Sequence, residues 1–411
     1  MDGFLTVGQP AAVAAVHAML ASNVPHAVLL SGPASVGKMS LALDLAAGLL
    51  CTGATEGSRP CRTCRGCRMV EHGNHADVHV LVPEGPGGQI RIGDRLHPEP
   101  GTIRALLVEL SLLPVEGAER VAIIREAQRL NEDAQSALLK TLEEPPAGVT
   151  LILLADDEDR LLPTVRSRCA RVRLGAVGVR DVERLLANRA LADPPTAARL
   201  ARLAAGRSGL AVAYASAPEA EAIRGELTRT LLDLLDRGRA ARLGAGRDLV
   251  GRAGVLAALL APAPDGPPEA SRRRGRGVRA VAGPVPVTGR SGDAAADDAD
   301  TDGEAEAAAA IDAAPVRVPA AERRRALGML LDAWRELARD LALAQSGSLA
   351  EVREIALLEE LEAAARDLPP GAAAAALARI VRAGELLEAN VSPELLLDVL
   401  LLRWPRRRSA A

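Results

Sequence analysis

The sequence predicts a three-layer α/β domain on a parallel sheet in its first 175 residues, followed by an all-helical remainder. Three observations carry this. Short apolar runs of strand length recur between residues 26 and 155, the pattern of strands buried on both faces. Helical patterns separate them, as parallel crossovers require. From Val177 onward the strand runs stop and leucine recurs at helical spacing.

The first strand is "HAVLLSG", residues 26–32, and it runs into "GPASVGKMS". A helix "KMSLALDLAAGLL" follows, then a cysteine-rich stretch from Cys51 to Cys67. "DVHVLVP" (77–83), "RVAIIRE" (120–126) and "VTLILLA" (149–155) read as further strands, with "NEDAQSALLKTLEE" (131–144) as a helix before the last. Residues 178–215 support two or three short helices, Asp193 being an N-cap before Pro194 at the first helical position. Another helix is expected at about 218–235. Residues 262–316 are rich in Pro, Gly and Ala, with a basic knot at Arg272, Arg273, Arg274 and Arg276 and an acidic run from Asp293 to Glu306. Such a segment buries too little apolar surface to offset its chain entropy and is expected to be disordered. Its knot reads as solvated linker, a contact with DNA phosphates being the alternative. Leucine-rich helices resume from Ala320 to Trp404.

Composition narrows the function. At 411 residues two or three domains are expected, and a net charge of −3 does not mark a dedicated nucleic-acid binder. Phe4, Tyr214, Trp334 and Trp404 are all the aromatics, so base-stacking platforms are not expected. No run of about 18 apolar residues and no basic-then-apolar leader occurs, so a cytoplasmic protein is expected. Of 50 basic residues only Lys38 and Lys140 are lysine, which suggests that arginine would not serve at these two positions.

Two constellations carry chemistry. Gly32, Gly37 and Lys38 meet the pattern G-x-x-x-x-G-K, a cradle of backbone N–H groups at a helix N-terminus suited to phosphate. The next position should be a hydroxyl that ligates magnesium, but Met39 stands there. Ser40 is a poor substitute, because one helical step turns a side chain by about 100°. The strand ending at Ile124 should lead into an Asp and a Glu that hold metal and orient water. Arg125 and Glu126 stand there instead, and a cation repels the metal. Two magnesium contacts are thus absent, and a retained fold without catalysis is the stronger reading. The second constellation is Cys51, Cys61, Cys64 and Cys67, four thiolates able to close a tetrahedral zinc site with no open position. That makes the expected Zn2+ structural, with His72 as an alternative fourth ligand.

Together with "VGQ" at 7–9, "SALLKTLEEPP" at 136–146 and "SRC" at 167–169, these motifs resemble the clamp-loader branch of the AAA+ ATPases, the subunits that load the sliding clamp of bacterial DNA polymerase III. The likeness covers most of residues 1–215. It implies an AAA+ domain over 1–175 with a zinc insertion at about 51–72, a helical lid over 176–215, and an all-α collar domain over 216–261 and 317–411. It also implies that Arg168 of "SRC" acts as a trans arginine finger on a neighbouring subunit's ATP, with Arg166 the competing candidate. Met39, Arg125 and Gly209, the last standing where a motor subunit carries a lid arginine, point to the non-hydrolysing member. ATP or ADP would then be held, if at all, without turnover, and no Mg2+ site is expected. The implied partners are gamma/tau-like motor and delta subunits, with the sliding clamp and primed DNA reached through the complex, in a bacterial replisome. Two other readings stay open: an active clamp-loader ATPase that tolerates its altered metal ligands, and a stand-alone zinc-containing nucleic-acid binder.

Overall fold

In the computed structural model the residues described are 3–54, 58–83, 88–117, 119–261, 320–389 and 391–407. The segment expected to be disordered, 262–316, lies outside them. The sheet has five strands: β1 (Ala27–Ser31), β2 (Val78–Leu81), β3 (Arg120–Ile124), β4 (Val149–Ala155) and β5 (Ala170–Arg173). All pairings are parallel, in the order β2-β3-β4-β1-β5. The four strands expected from apolar runs are present. The fifth, "ARVR", alternates its apolar residues Ala170 and Val172 with arginines and was not anticipated; as an edge strand it buries only Val172.

Alternation along the strands explains the layers. Val28, Leu30, Val121, Ile123, Ile152 and Leu154 face one apolar cluster with helices α1 (Pro10–Ala21) and α2 (Lys38–Leu49) and the turn helix α3 (Arg65–Glu71). Ala27, Leu29, Ala122, Ile124, Leu151 and Leu153 face the other, with α4 (Ile103–Leu110), α5 (Glu132–Glu143) and α6 (Pro163–Arg166). With both faces covered, β1, β3 and β4 read as continuous apolar runs, which is why they were legible. The chain crosses from β1, one strand in from the β5 edge, to the far edge at β2 and returns through β3 and β4. This switch of direction places the loop after β1 beside the end of β4, where α/β sheets hold ligands.

Residues 176–215 fold as α7 (Val179–Asn188), α8 (Pro194–Leu203) and α9 (Ser208–Ser216). Asp193 caps α8, its carboxylate accepting the Thr196 N–H at 3.2 Å, with Pro194 at the first helical position. The remaining helices are α10 (Pro218–Asp233), α11 (Arg239–Leu259), α12 (Ala320–Gln345), α13 (Leu358–Asp367), α14 (Ala372–Glu388) and α15 (Pro393–Arg403). Fully buried Trp334 of α12 meets Trp404 edge-on, ring centroids 5.2 Å apart, and the Trp404 Nε1–H donates to the Leu231 carbonyl at 2.9 Å. Arg242 is buried there too, donating to the carbonyls of Trp404, Pro405 (2.8 Å) and Arg237 (3.0 Å), so it fastens the chain end onto α11. Among the described residues, no helix is long and apolar enough to cross a membrane.

Candidate phosphate loop, arginine edge and cysteine cluster

The loop after β1 closes because of its glycines. Gly32 has φ +146°, and a Cβ there would lie 2.1 Å from the Leu174 carbonyl; Gly37 has φ +103° as it opens α2. Gln9, from "VGQ", is buried and holds both sides: its amide donates to the carbonyls of Val36 (3.2 Å) and Gly175 (2.7 Å) and accepts the Gly175 N–H. The Lys38 ammonium donates to the carbonyls of Gly32 and Pro33 and to Asp156 Oδ1, each at 2.6 Å. Met39 packs against the apolar cluster beneath, while Ser40 is exposed on the next helical face. A small cleft of about 120 Å³ opens beside the loop, lined among others by Thr6, Gly37, Ser40, Arg189, Ser208 and Gly209.

Arg125 follows β3 as expected, its backbone N–H bonded to the Leu81 carbonyl at 2.9 Å. Glu126 sits in left-handed backbone (φ +49°), and its carboxylate accepts from Arg129 Nε at 2.5 Å. Gln128, one turn on, accepts the Asp156 N–H at 3.2 Å. Gly209 lies directly on the loop: its N–H donates to the Ser35 carbonyl at 2.8 Å, and a Cβ would come within 3.2 Å of that oxygen. At Gly209, therefore, helix α9 meets the loop through a backbone hydrogen bond.

Arg168 occupies a different edge. It lies between α6 and β5, donating to Glu143 at 2.7 Å and to the Thr164 carbonyl at 3.0 Å, with 35% of its side chain exposed. Glu143 belongs to "TLEEPP", so the two quoted motifs meet. Arg166 pairs instead with Asp159 at 2.5 Å. Because Val28 of β1 is in register with Ala170 of parallel β5, Arg168 and Gly32 are at opposite ends of the sheet. Six residues at ~3.3 Å each put about 20 Å between them.

The four cysteines converge. The sulfurs of Cys51, Cys61, Cys64 and Cys67 all lie within 4.8 Å of one another, against an edge of about 3.8 Å for four thiolates around zinc at ~2.3 Å. Close backbone approach makes this possible. A Cβ on Gly66 would lie 2.4 Å from the Leu50 carbonyl, and one on Gly53 would lie 3.0 Å from Cys61 Sγ. The Thr63 hydroxyl and the Cys64 N–H donate to Cys61 Sγ and hold its thiol down to about 5. Burial pushes the Cys67 thiol up. A donor set of four converging sulfurs, two of them buried, fits a closed metal site such as zinc. His72 is outside it, exposed and bonded to the Arg68 carbonyl.

Sequence reasoning missed Asp156, whose only signal was an acid directly after the fourth strand, and Asp44, an acid on the apolar face of α2. Asp44 is buried and accepts the N–H groups of Leu5 (3.1 Å) and Thr6 (3.0 Å) and the Thr6 hydroxyl (2.6 Å), and pairs with Arg62. It ties the N-terminal strap and the cysteine segment to α2.

Residues 8–177 match a family model described as DNA polymerase III, delta subunit. The DNA polymerase III subunit delta' of Pseudomonas aeruginosa is 36% identical over 173 residues, 42% of this chain and 50% of the relative. That of Bacillus subtilis is 35% identical over 147 residues, 36% of this chain and 41% of the relative. The subunit tau of Salmonella typhimurium is 36% identical over 191 residues, 45% of this chain and 28% of the relative. The chain thus spans half or less of the curated relatives it matches. The family model and the delta-prime relatives fall on the same α/β domain, which carries the phosphate loop, the cysteine cluster and the "SRC" arginine, and it is this part of the chain that is similar to the delta-prime and tau subunits of DNA polymerase III.

Proposed function

We propose that the chain is the non-hydrolysing, delta-prime-type subunit of a clamp loader in DNA replication, lending Arg168 to a neighbouring motor subunit's ATP site. The observation that supports this most is the placement of Arg168 at the opposite end of the sheet from Gly32. About 20 Å of strand separates it from its own phosphate loop, so a role in phosphate chemistry has to be played on another chain. A planar guanidinium aimed from outside would stabilise charge on the transferring phosphoryl group. Glu143, bonded to it at 2.7 Å, would orient it until a phosphate competes. Nucleotide state next door would then set ring geometry and clamp opening, while DNA synthesis belongs to another subunit.

The chain's own cleft agrees with this division of labour. Met39 packs its partly buried side chain against the apolar cluster at the position where a hydroxyl would reach magnesium, and Gly209 places backbone, not a cation, over the loop. Zn2+ at the four cysteines would be structural, since four protein ligands leave no open position. Helices α7–α9 would serve as lid and α10–α15 as collar toward the motor and delta subunits.

Reconstitution with motor and delta-type subunits tests the reading. Arg168→Ala should fold normally and depress the ATPase of the complex by about 10-fold or more, as loss of a trans arginine does; unchanged complex activity refutes the role. The 36% identity to a tau subunit favours an active motor as the second reading, and magnesium-dependent ATP turnover by this chain, abolished by Lys38→Ala, would select it.

A further inference from the structure

We propose that Asp156 is the resident counter-ion of the phosphate loop: it holds the charge position a nucleotide's phosphate needs, and so makes Lys38 a structural crosslink and disfavours nucleoside polyphosphates. This rests on the reading that the chain does not turn over ATP, and it assigns the cause to a residue outside the motif. An ammonium has three donors. Those of Lys38 are all engaged, at 2.6 Å each, by the Gly32 carbonyl, the Pro33 carbonyl and Asp156 Oδ1. The lysine side chain is 9% exposed and the carboxylate 38%, so the acid lies on the solvent side of the cation.

The fold puts the acid there. Ala155 is in register with Ser31 of β1, so the phosphate loop and Asp156 leave the sheet side by side. The Asp156 backbone is held in turn by Gln128, which accepts its N–H at 3.2 Å. Midway along the loop the Ser35 carbonyl is taken by the Gly209 N–H at 2.8 Å. Protein groups therefore hold the loop at its lysine and at its middle. A triphosphate that sought Lys38 would have to displace Asp156 or lie against it, with two anions on one compact cation. The lysine's survival in an arginine-dominated chain follows, because a planar guanidinium cannot aim three convergent bonds from one nitrogen.

The test is equilibrium titration of the full-length chain with methylanthraniloyl-ATP and with inorganic tripolyphosphate, with and without magnesium. Removing one close unit charge should tighten both probes roughly tenfold or more in Asp156→Asn. Lys38→Met added to that variant should abolish the gain, and Asp156→Ser serves as a second variant should the amide disturb the loop. Wild-type affinity equal to that of folded Asp156→Asn and Asp156→Ser would overturn the proposal, as would a gain that survives Lys38→Met. ATP turnover is read in parallel: turnover by the wild-type chain defeats the non-hydrolysing reading, whereas the ratio of affinities between wild type and variant judges Asp156 independently.

Discussion

Replacing Asp44 by Ala should uncouple the N-terminal strap from the α/β domain. The carboxylate is 1% exposed and receives three bonds of 2.6–3.1 Å from Leu5 and Thr6, besides pairing with Arg62. Arg62 also donates to the Gly3 carbonyl at 2.6 Å, so strap, cysteine segment and α2 share one anion. Truncation strands a guanidinium, a hydroxyl and two backbone donors. One-sided loss of a buried pair costs about 3–5 kcal/mol, and bonds to a charged acceptor contribute ~1.5–3 kcal/mol each. The strap can swing into water and recover part of this, so the net loss should be about 3 kcal/mol. Urea unfolding of the full chain reads it as a shifted first transition. Amide exchange at Leu5 and Thr6 should accelerate with it, and because Thr6 lines the cleft beside the phosphate loop, the cleft loses a wall. A loss below about 1 kcal/mol with unchanged exchange at these amides would refute the reasoning.

The remaining predictions concern the metal and the helical domain. Metal analysis should find about one zinc per chain, and chelation or Cys61→Ser should lower the melting temperature; a metal-free chain that melts unchanged discards the site. Glu336 is buried against Arg353 and lies 3.9 Å from Arg207. Burial raises its carboxyl, but the arginines outweigh it and hold it below the ordinary carboxylate value. A lowered folded value means stability present above the unfolded value of about 4.3 and lost as pH falls through the folded one. Glu336→Gln should therefore cost about 2–4 kcal/mol at pH 7, and the gap to wild type should shrink in acid. An unchanged gap at pH 3 would show that the charge is not what stabilises this contact.

Legibility followed burial. β1, β3 and β4 are covered on both faces, so composition alone marked them, whereas edge strand β5 carries arginines at Arg171 and Arg173 and left no periodic signal. Helix α4 escaped because it lies in the long excursion between β2 and β3 and is only eight residues long, although Pro98, Pro100 and Gly101 precede it and Thr102 caps it. At the cleft, Gly32, Gly37 and Lys38 were readable because a motif is a local constraint, one chain turning sharply around phosphate-sized space. Asp156 and Asp44 were not, since each acts on residues far along the chain, 118 residues in the case of Lys38.

That a parallel α/β domain precedes a helical one, that four thiols share a metal-type spacing, and that the phosphate loop lacks its hydroxyl are all legible in the linear chain. These are matters of period, spacing and residue type, which the chain carries locally. Tertiary structure alone decided that β4 lies beside β1, which hands Lys38 to a carboxylate, and that Arg168 sits about 20 Å from its own loop. Strand order is fixed by which apolar faces pack together once the chain has folded back, and no local pattern encodes it.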